Sequence, residues 1–158
     1  ARRQRQMCIR DSYSIMEATD KDLPQIIEKV KQGFFSGVNV TLPFKQKIIN
    51  HVDMVVNDAE LTGSVNTVFL NKNKTVIGEN TDVYGLQADY LKEIDNSSNK
   101  KALVIGAGGV APSVISSIKK SGMKNISITN RTNEKCIFLK KKLNLLLTIR
   151  SFCLQTNL

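Results

Sequence analysis

A glycine turn wedged between an apolar strand and an amphipathic helix constrains this chain more than any other feature. Gly106-Ala107-Gly108-Gly109 follows the run Lys101-Ala102-Leu103-Val104-Ile105. The spacing of apolar residues then predicts a helix over 111–121, stopped by Gly122, a second strand over 125–129 and a second helix over 133–143. Successive parallel strands need a helical crossover, so this order reads as a βαβ unit. Gly106, Gly108 and Ala111 fit the pattern G-x-G-x-x-G/A. The first glycine makes the turn, the second lets backbone come close to a diphosphate, and the small third residue lets helix and strand pack tightly. A helix beginning here offers free N–H groups and a positive dipole end to an anion. Gly106, Ala107, Gly108, Gly109, Val110 and Ala111 therefore read as a dinucleotide cradle, with a purely structural turn as the plainer alternative.

The end of the second strand refines the cofactor. A site for NAD places Asp or Glu there, about 20 residues beyond the glycines, to hold the ribose 2′-hydroxyl. This chain has Asn130-Arg131-Thr132, with Lys135 one turn further. A carboxylate would repel a 2′-phosphate, whereas a guanidinium can grip it in two-point fashion and a threonine adds a hydroxyl. The cofactor expected is NADP, bound by Asn130, Arg131, Thr132 and Lys135. An exposed loop arginine is the alternative for Arg131.

Residues 1–12 (ARRQRQMCIRDS) carry no strand or helix pattern and read as a leader outside the fold. A first domain is expected over 13–95: a strand at 13–18, a helix at 22–31 capped by Thr19 or Asp20 and stopped by Gly33, and a strand at 36–41. The start of a helix at 45–50, a short helix at 58–61, strands at 66–70 and 75–77 joined by a turn, and a helix at 84–94 follow. The polar stretch Asp95-Asn96-Ser97-Ser98-Asn99 reads as a linker to a second domain over 100–158. Beyond 143 the pattern fades and no third strand is readable. The fold class expected is α/β: a partial substrate domain followed by the start of a Rossmann-type NADP-binding domain.

The net charge of +9 invites comparison with nucleic-acid binders. The basic blocks are short, Arg2, Arg3, Arg5 and Arg10 at one end and Lys135, Lys140, Lys141 and Lys142 at the other, and aromatic residues scarcely interleave them. No nucleic-acid partner is expected, and Lys140 to Lys142 read as a solvated helix face. The longest late apolar run, Leu145 to Ile149, is far too short to span a bilayer. Cys8, Cys136 and Cys153 have neither CxxC pairing nor zinc spacing. Scattered thiols suit a reducing, cytoplasmic setting, and no metal is expected. His51, the only histidine, reads as a surface residue of a loop or helix.

Three further segments place polar side chains at the ends of expected strands: Asn39-Val40-Thr41-Leu42-Pro43-Phe44-Lys45, Gly63-Ser64-Val65-Asn66-Thr67 and Asn80-Thr81-Asp82-Val83-Tyr84-Gly85. Strand ends and their loops are where α/β sheets build sites. Each has a plainer reading: Asn80-Thr81-Asp82 as a helix cap, Asn66 as a turn residue, Lys45 as a solvated side chain. Taken together, in this order and followed by the glycine turn and Asn130-Arg131-Thr132, they resemble the shikimate dehydrogenase family, over roughly residues 13–143. The resemblance implies reversible hydride transfer between NADPH and 3-dehydroshikimate, giving shikimate, in the chorismate route to aromatic amino acids. It implies Lys45 as the catalytic lysine with Asp82 beside it on the substrate, and Thr41 and Asn66 as partners of ring hydroxyls. A homodimer is compatible with it. The family's carboxylate-binding serine segment has no counterpart here, so the chain is expected to be truncated at both ends and inactive by itself. A quinate/shikimate dehydrogenase and a nucleotide-binding piece without chemistry remain as alternatives.

Overall fold

The structure is a computed structural model that describes residues 12–93, 99–143 and 148–149. It forms two sheets, each with its own apolar core.

The first sheet has the order β1-β3-β4-β2, from β1 (Gly37–Asn39), β2 (Met54–Val55), β3 (Thr67–Leu70) and β4 (Val76–Glu79). β3 runs antiparallel to β1 and β4, and β2 lies parallel to β4. β4 is central, and Val76, Ile77 and Gly78 are all buried. Gly78 is closely packed: a Cβ there would come within 3.0–3.2 Å of methyl groups of Val65 and Val52, which would have to give way. Helix α1 (Leu23–Lys31) covers this sheet with the stripe Leu23, Ile26, Ile27 and Val30, all buried at helical spacing. Its start is fixed by Thr19, whose backbone N–H and hydroxyl both donate to Asp22 at 2.7 Å, and its end by Gly33 at φ +75°. α2 (Asp58–Thr62) and α3 (Asp82–Asp89) follow β2 and β4.

The second sheet is parallel throughout, in the order β5-β6-β7: β5 (Lys101–Ile105), β6 (Asn125–Thr129) and β7 (Thr148–Ile149). Helices α4 (Ala111–Lys120) and α5 (Asn133–Lys142) pack on it through Ile115, Cys136 and Leu139, over Ile126 and Ile128. The βαβ unit read from the glycine turn is therefore present, and the α/β fold class holds.

Three expectations change. Residues 13–18 form no strand: they pair with no strand among the described residues, and Tyr13 and Ile15 stand 82% and 95% exposed. β2 was not expected; at two residues it is too short to show alternation, and only its pairing with β4 defines it. A third strand, β7, does follow β6, again too short to read. All but residue 12 of the expected leader, all but residue 99 of the linker and most of the chain after 143 lie outside the described residues.

The two units meet along α4. Ser117 Oγ donates to the Val83 carbonyl at 2.8 Å, and Lys120 pairs with Asp58 of α2. Ile115 sits at the other face of α4, fully buried in the second core. Ile115→Ala removes that packing and leaves a cavity, so in the complete protein it should lower unfolding free energy by about 2–5 kcal/mol. Urea denaturation checks it, and a loss below ~0.5 kcal/mol would mean that α4 is not anchored there.

Candidate active site

The backbone ladder brings three separate segments to one point. Asn66 precedes β3 and donates its N–H to the Glu79 carbonyl at 3.0 Å, while its own carbonyl accepts from Val40 at 2.7 Å. Val65 donates to the carbonyl of Lys45 at 2.8 Å. The loop after β1, the start of β3 and the end of β4 therefore emerge side by side.

Lys45 and Asp82 meet there. Lys45 Nζ lies 2.8 Å from Asp82 Oδ2, with side chains 11% and 26% exposed. The other carboxylate oxygen accepts from Asn66 Nδ2, also at 2.8 Å. Both oxygens of Asp82 are thus held, one by a cation and one by an amide, which fixes its plane. An ammonium has three donors, and among the described residues Asp82 takes one, leaving two of Lys45 for a ligand.

Asn66 is more occupied than the sequence suggests. Its Nδ2 contacts Thr81 Oγ1 and Asp82 Oδ1, and its Oδ1 accepts from the Thr81 N–H at 3.0 Å and the Thr67 hydroxyl at 3.0 Å. Its clearest task is to orient Asp82. Thr41 is exposed, its carbonyl caps the turn to Phe44, and its hydroxyl has no partner among the described residues. The Leu42–Pro43 peptide in the same turn is cis.

The glycine turn faces this cluster. Gly106 has φ +106°, open to glycine alone, and donates its N–H to Thr129 at the end of β6 at 2.8 Å. Ala107 donates to Asn130 Oδ1 at 3.2 Å, and Asn130 Nδ2 donates to the Thr132 carbonyl at 2.9 Å. Asn130 therefore braces the turn against the loop. Arg131, Thr132 and Lys135 are exposed, and among the described residues neither Arg131 nor Lys135 has an anionic partner. Val110 sits just before α4, and Ala111 opens the helix and is buried.

A cleft of about 330 Å³ joins the halves. Leu42, Pro43, Lys45 and Gln46 form one wall, and Ala107, Gly108, Gly109 and Pro112 another, with Lys135 and Phe138 of α5 beside them. The walls touch where Leu42 packs on Gly109, 3.0 Å from where a Cβ would be. Two residues of this region were not singled out from sequence. Lys142, read as part of a solvated face, also lines the cleft, its amine against Gly63, and burial pushes its pKa below the ordinary value. Asn80, read as a cap, is 97% buried in polar contacts (3% exposed). Nothing local marks either: the lysine sits in a run of three, and the asparagine's partners come from distant segments. His51 closes a short 3-10 turn, half-buried and away from the cluster. The described residues hold no group of His, Cys, Asp and Glu able to bind a metal ion.

Comparison with known proteins places this geometry. Residues 3–68 match the family model described as the shikimate dehydrogenase substrate binding domain, and residues 89–152 that described as shikimate / quinate 5-dehydrogenase. The first match begins inside the segment read as a leader. A shikimate dehydrogenase (NADP(+)) of Pelagibacter ubique is 41% identical over 76% of this chain and 45% of its own length. The crystal structure of shikimate dehydrogenase from Aquifex aeolicus superposes with a TM-score of 0.75 at 36% identity, over 84% of this chain and 48% of that one. The Thermus thermophilus shikimate 5-dehydrogenase, solved with NADP(H) and shikimate, gives a TM-score of 0.69 at 32% identity, over 84% and 48%. The chain thus spans about half the length of the relatives it matches. With the two family models matching residues 3–68 and 89–152 in turn, the chain belongs to the shikimate dehydrogenase family.

Proposed function

We propose that the complete protein interconverts shikimate and 3-dehydroshikimate with NADP, and that Lys45 is its proton-transfer group. The observation that carries this reading is Lys45, paired with Asp82 and lining a cleft whose opposite wall is the glycine turn.

The residues present fit NADP. Gly106 to Gly109 leave backbone bare before α4, where the helix offers N–H groups to a diphosphate. Among the described residues, Arg131 and Lys135 are cations without partners at the end of β6, suited to a 2′-phosphate, and no carboxylate stands at that position to hold a bare ribose hydroxyl. The nicotinamide, when bound, supplies or accepts the hydride.

The chain's own residues handle the rest. Oxidising a ring hydroxyl requires its proton to leave, and reducing the ketone requires one to arrive while negative charge grows on oxygen. The two free donors of Lys45 can address that oxygen. Asp82 Oδ2 aims the amine, and Asn66 keeps Asp82 from turning away. Thr41, its hydroxyl unpartnered among the described residues, is suited to a second ring hydroxyl, whereas Asn66 acts mainly through Asp82. In the cofactor loop Asn130 serves by bracing the turn, and Thr132 by presenting its hydroxyl at the start of α5.

The buried, unpaired thiol of Cys136 suits a reducing, cytoplasmic compartment. No described helix is long and apolar enough to cross a membrane. A homodimer of the complete protein remains part of the proposal, and its solution mass by light scattering decides it.

Two variants of the complete protein test the roles. Lys45→Ala should lower kcat by roughly 10²–10⁴, with KM for shikimate changed far less; steady-state kinetics showing normal kcat and a raised KM would make Lys45 a binding group only. Arg131→Ala should weaken NADP by about 1–3 kcal/mol and leave NAD nearly unchanged. Fluorescence titration of both cofactors reads this, and equal losses would take Arg131 away from the 2′-phosphate.

A further inference from the structure

Asn80 has a side chain with more partners than its place in the sequence requires. Its Oδ1 accepts the Asp82 N–H at 3.0 Å, the ordinary turn that starts a helix. That bond uses only the carbonyl end. The amide end lies 2.8 Å from the Ser64 carbonyl, 3.1 Å from Thr62 Oγ1 and 3.0 Å from Ser113 Oγ. Two amide hydrogens are thus shared among three acceptors, in a residue only 3% exposed. A capping asparagine has no need of these contacts.

The partners belong to different parts of the molecule. Thr62 and Ser64 bound the turn after α2, and Asp82 begins α3, all in the first unit. Ser113 is the third residue of α4, in the turn directly after Gly106 to Gly109, and it is fully buried. One planar amide therefore spans the joint between the cofactor helix and the backbone of Asp82. Ser117 adds a second tie one turn along, to the carbonyl of Val83. Ser116, on the same buried face, has a hydroxyl with no partner among the described residues.

We infer that Asn80 is a positioning residue: it holds the start of α4 in register with Asp82, and through Asp82 it sets the direction of the Lys45 amine. The inference rests on the proposed function above for its catalytic consequence, not for the tether itself. A planar amide gripped at both ends transmits a shift of α4 to Asp82, and a displacement near 1 Å at the reacting groups costs about 10²-fold in rate. Among the described residues Ser113 hydrogen-bonds to neither Lys45 nor Asp82, so its removal reports on the tether without taking a bond from the cluster.

The test uses the complete protein with Ser113→Ala, with Ser116→Ala as a matched loss of one buried hydroxyl from the same helix face. Ser113→Ala should lower kcat for shikimate by about ten- to a hundredfold while the KM for NADP changes far less; Ser116→Ala should leave kcat unchanged. Asn80→Ala should lower kcat at least as much as Ser113→Ala. Hydrogen exchange at the Asp82 amide gives a readout that needs no turnover: it should speed up several-fold in Ser113→Ala and not in Ser116→Ala. Equal kcat and equal Asp82 exchange in the two serine variants would overturn the tether. If the unaltered protein does not turn over shikimate, the functional reading fails, and the exchange comparison still decides the role of Asn80.

Discussion

The pairing of β3 with β4 sets Thr67 opposite Glu79 and Leu70 opposite Val76, and the candidate site hangs from that register. Where the two strands leave the ladder, Asn66 and the Asn80-Thr81-Asp82 segment come out next to each other. Slipping the pair by one residue would turn every side chain to the opposite face. Buried Val68 would then face outward, and the amide of Asn66 would lose the Asp82 carboxylate. The buried glycine at position 78 tightens this constraint, because the methyl groups of Val65 and Val52 would have to shift to admit a larger residue. The β-sheet core and the site are in this sense one object: the valine packing that excludes water also aims the carboxylate.

The joint between the two units is built differently. Its fixed points are hydrogen bonds and an ion pair, from Asn80, Ser113 and Ser117 and between Lys120 and Asp58. The two apolar cores remain separate clusters on either side of it. Polar contacts are strongly directional, so these specific bonds favour one relative placement of the units. The cleft proposed to admit both a dinucleotide and a ring acid would be well served by walls held that way. The exposed apolar side chains Leu103 and Ile105 on β5 show that the second sheet is covered on one face only by the described residues.

Much of this was legible from local pattern. The stripes of α1 and α4, the strands β5 and β6 and the hairpin of β3 and β4 follow from spacing, because each buries one face against a neighbour close in sequence. The turn at Gly106 could be read since it depends on backbone freedom, which residue type alone discloses. What escaped depended on long-range partners. β2 and β7 are pairs of residues defined only by a neighbouring strand. Tyr13 to Ala18 has strand-like residues but pairs with no strand among the described residues. Asn80 looks like a cap until Ser113, 33 positions away, is seen to share its amide. Asn66 read as a ligand for substrate, and the structure gives it to Asp82 first.

The central claim is that the Lys45–Asp82 pair addresses the reacting oxygen from one wall of the cleft while the glycine turn holds the cofactor from the other. A crystal structure of the complete protein with NADPH and shikimate, a pair that cannot react, tests it most directly. The account predicts one ring hydroxyl within about 2.6–3.2 Å of Lys45 Nζ, with the diphosphate against Gly106 to Gly109. Shikimate bound away from Lys45, or a diphosphate elsewhere than this turn, would contradict it.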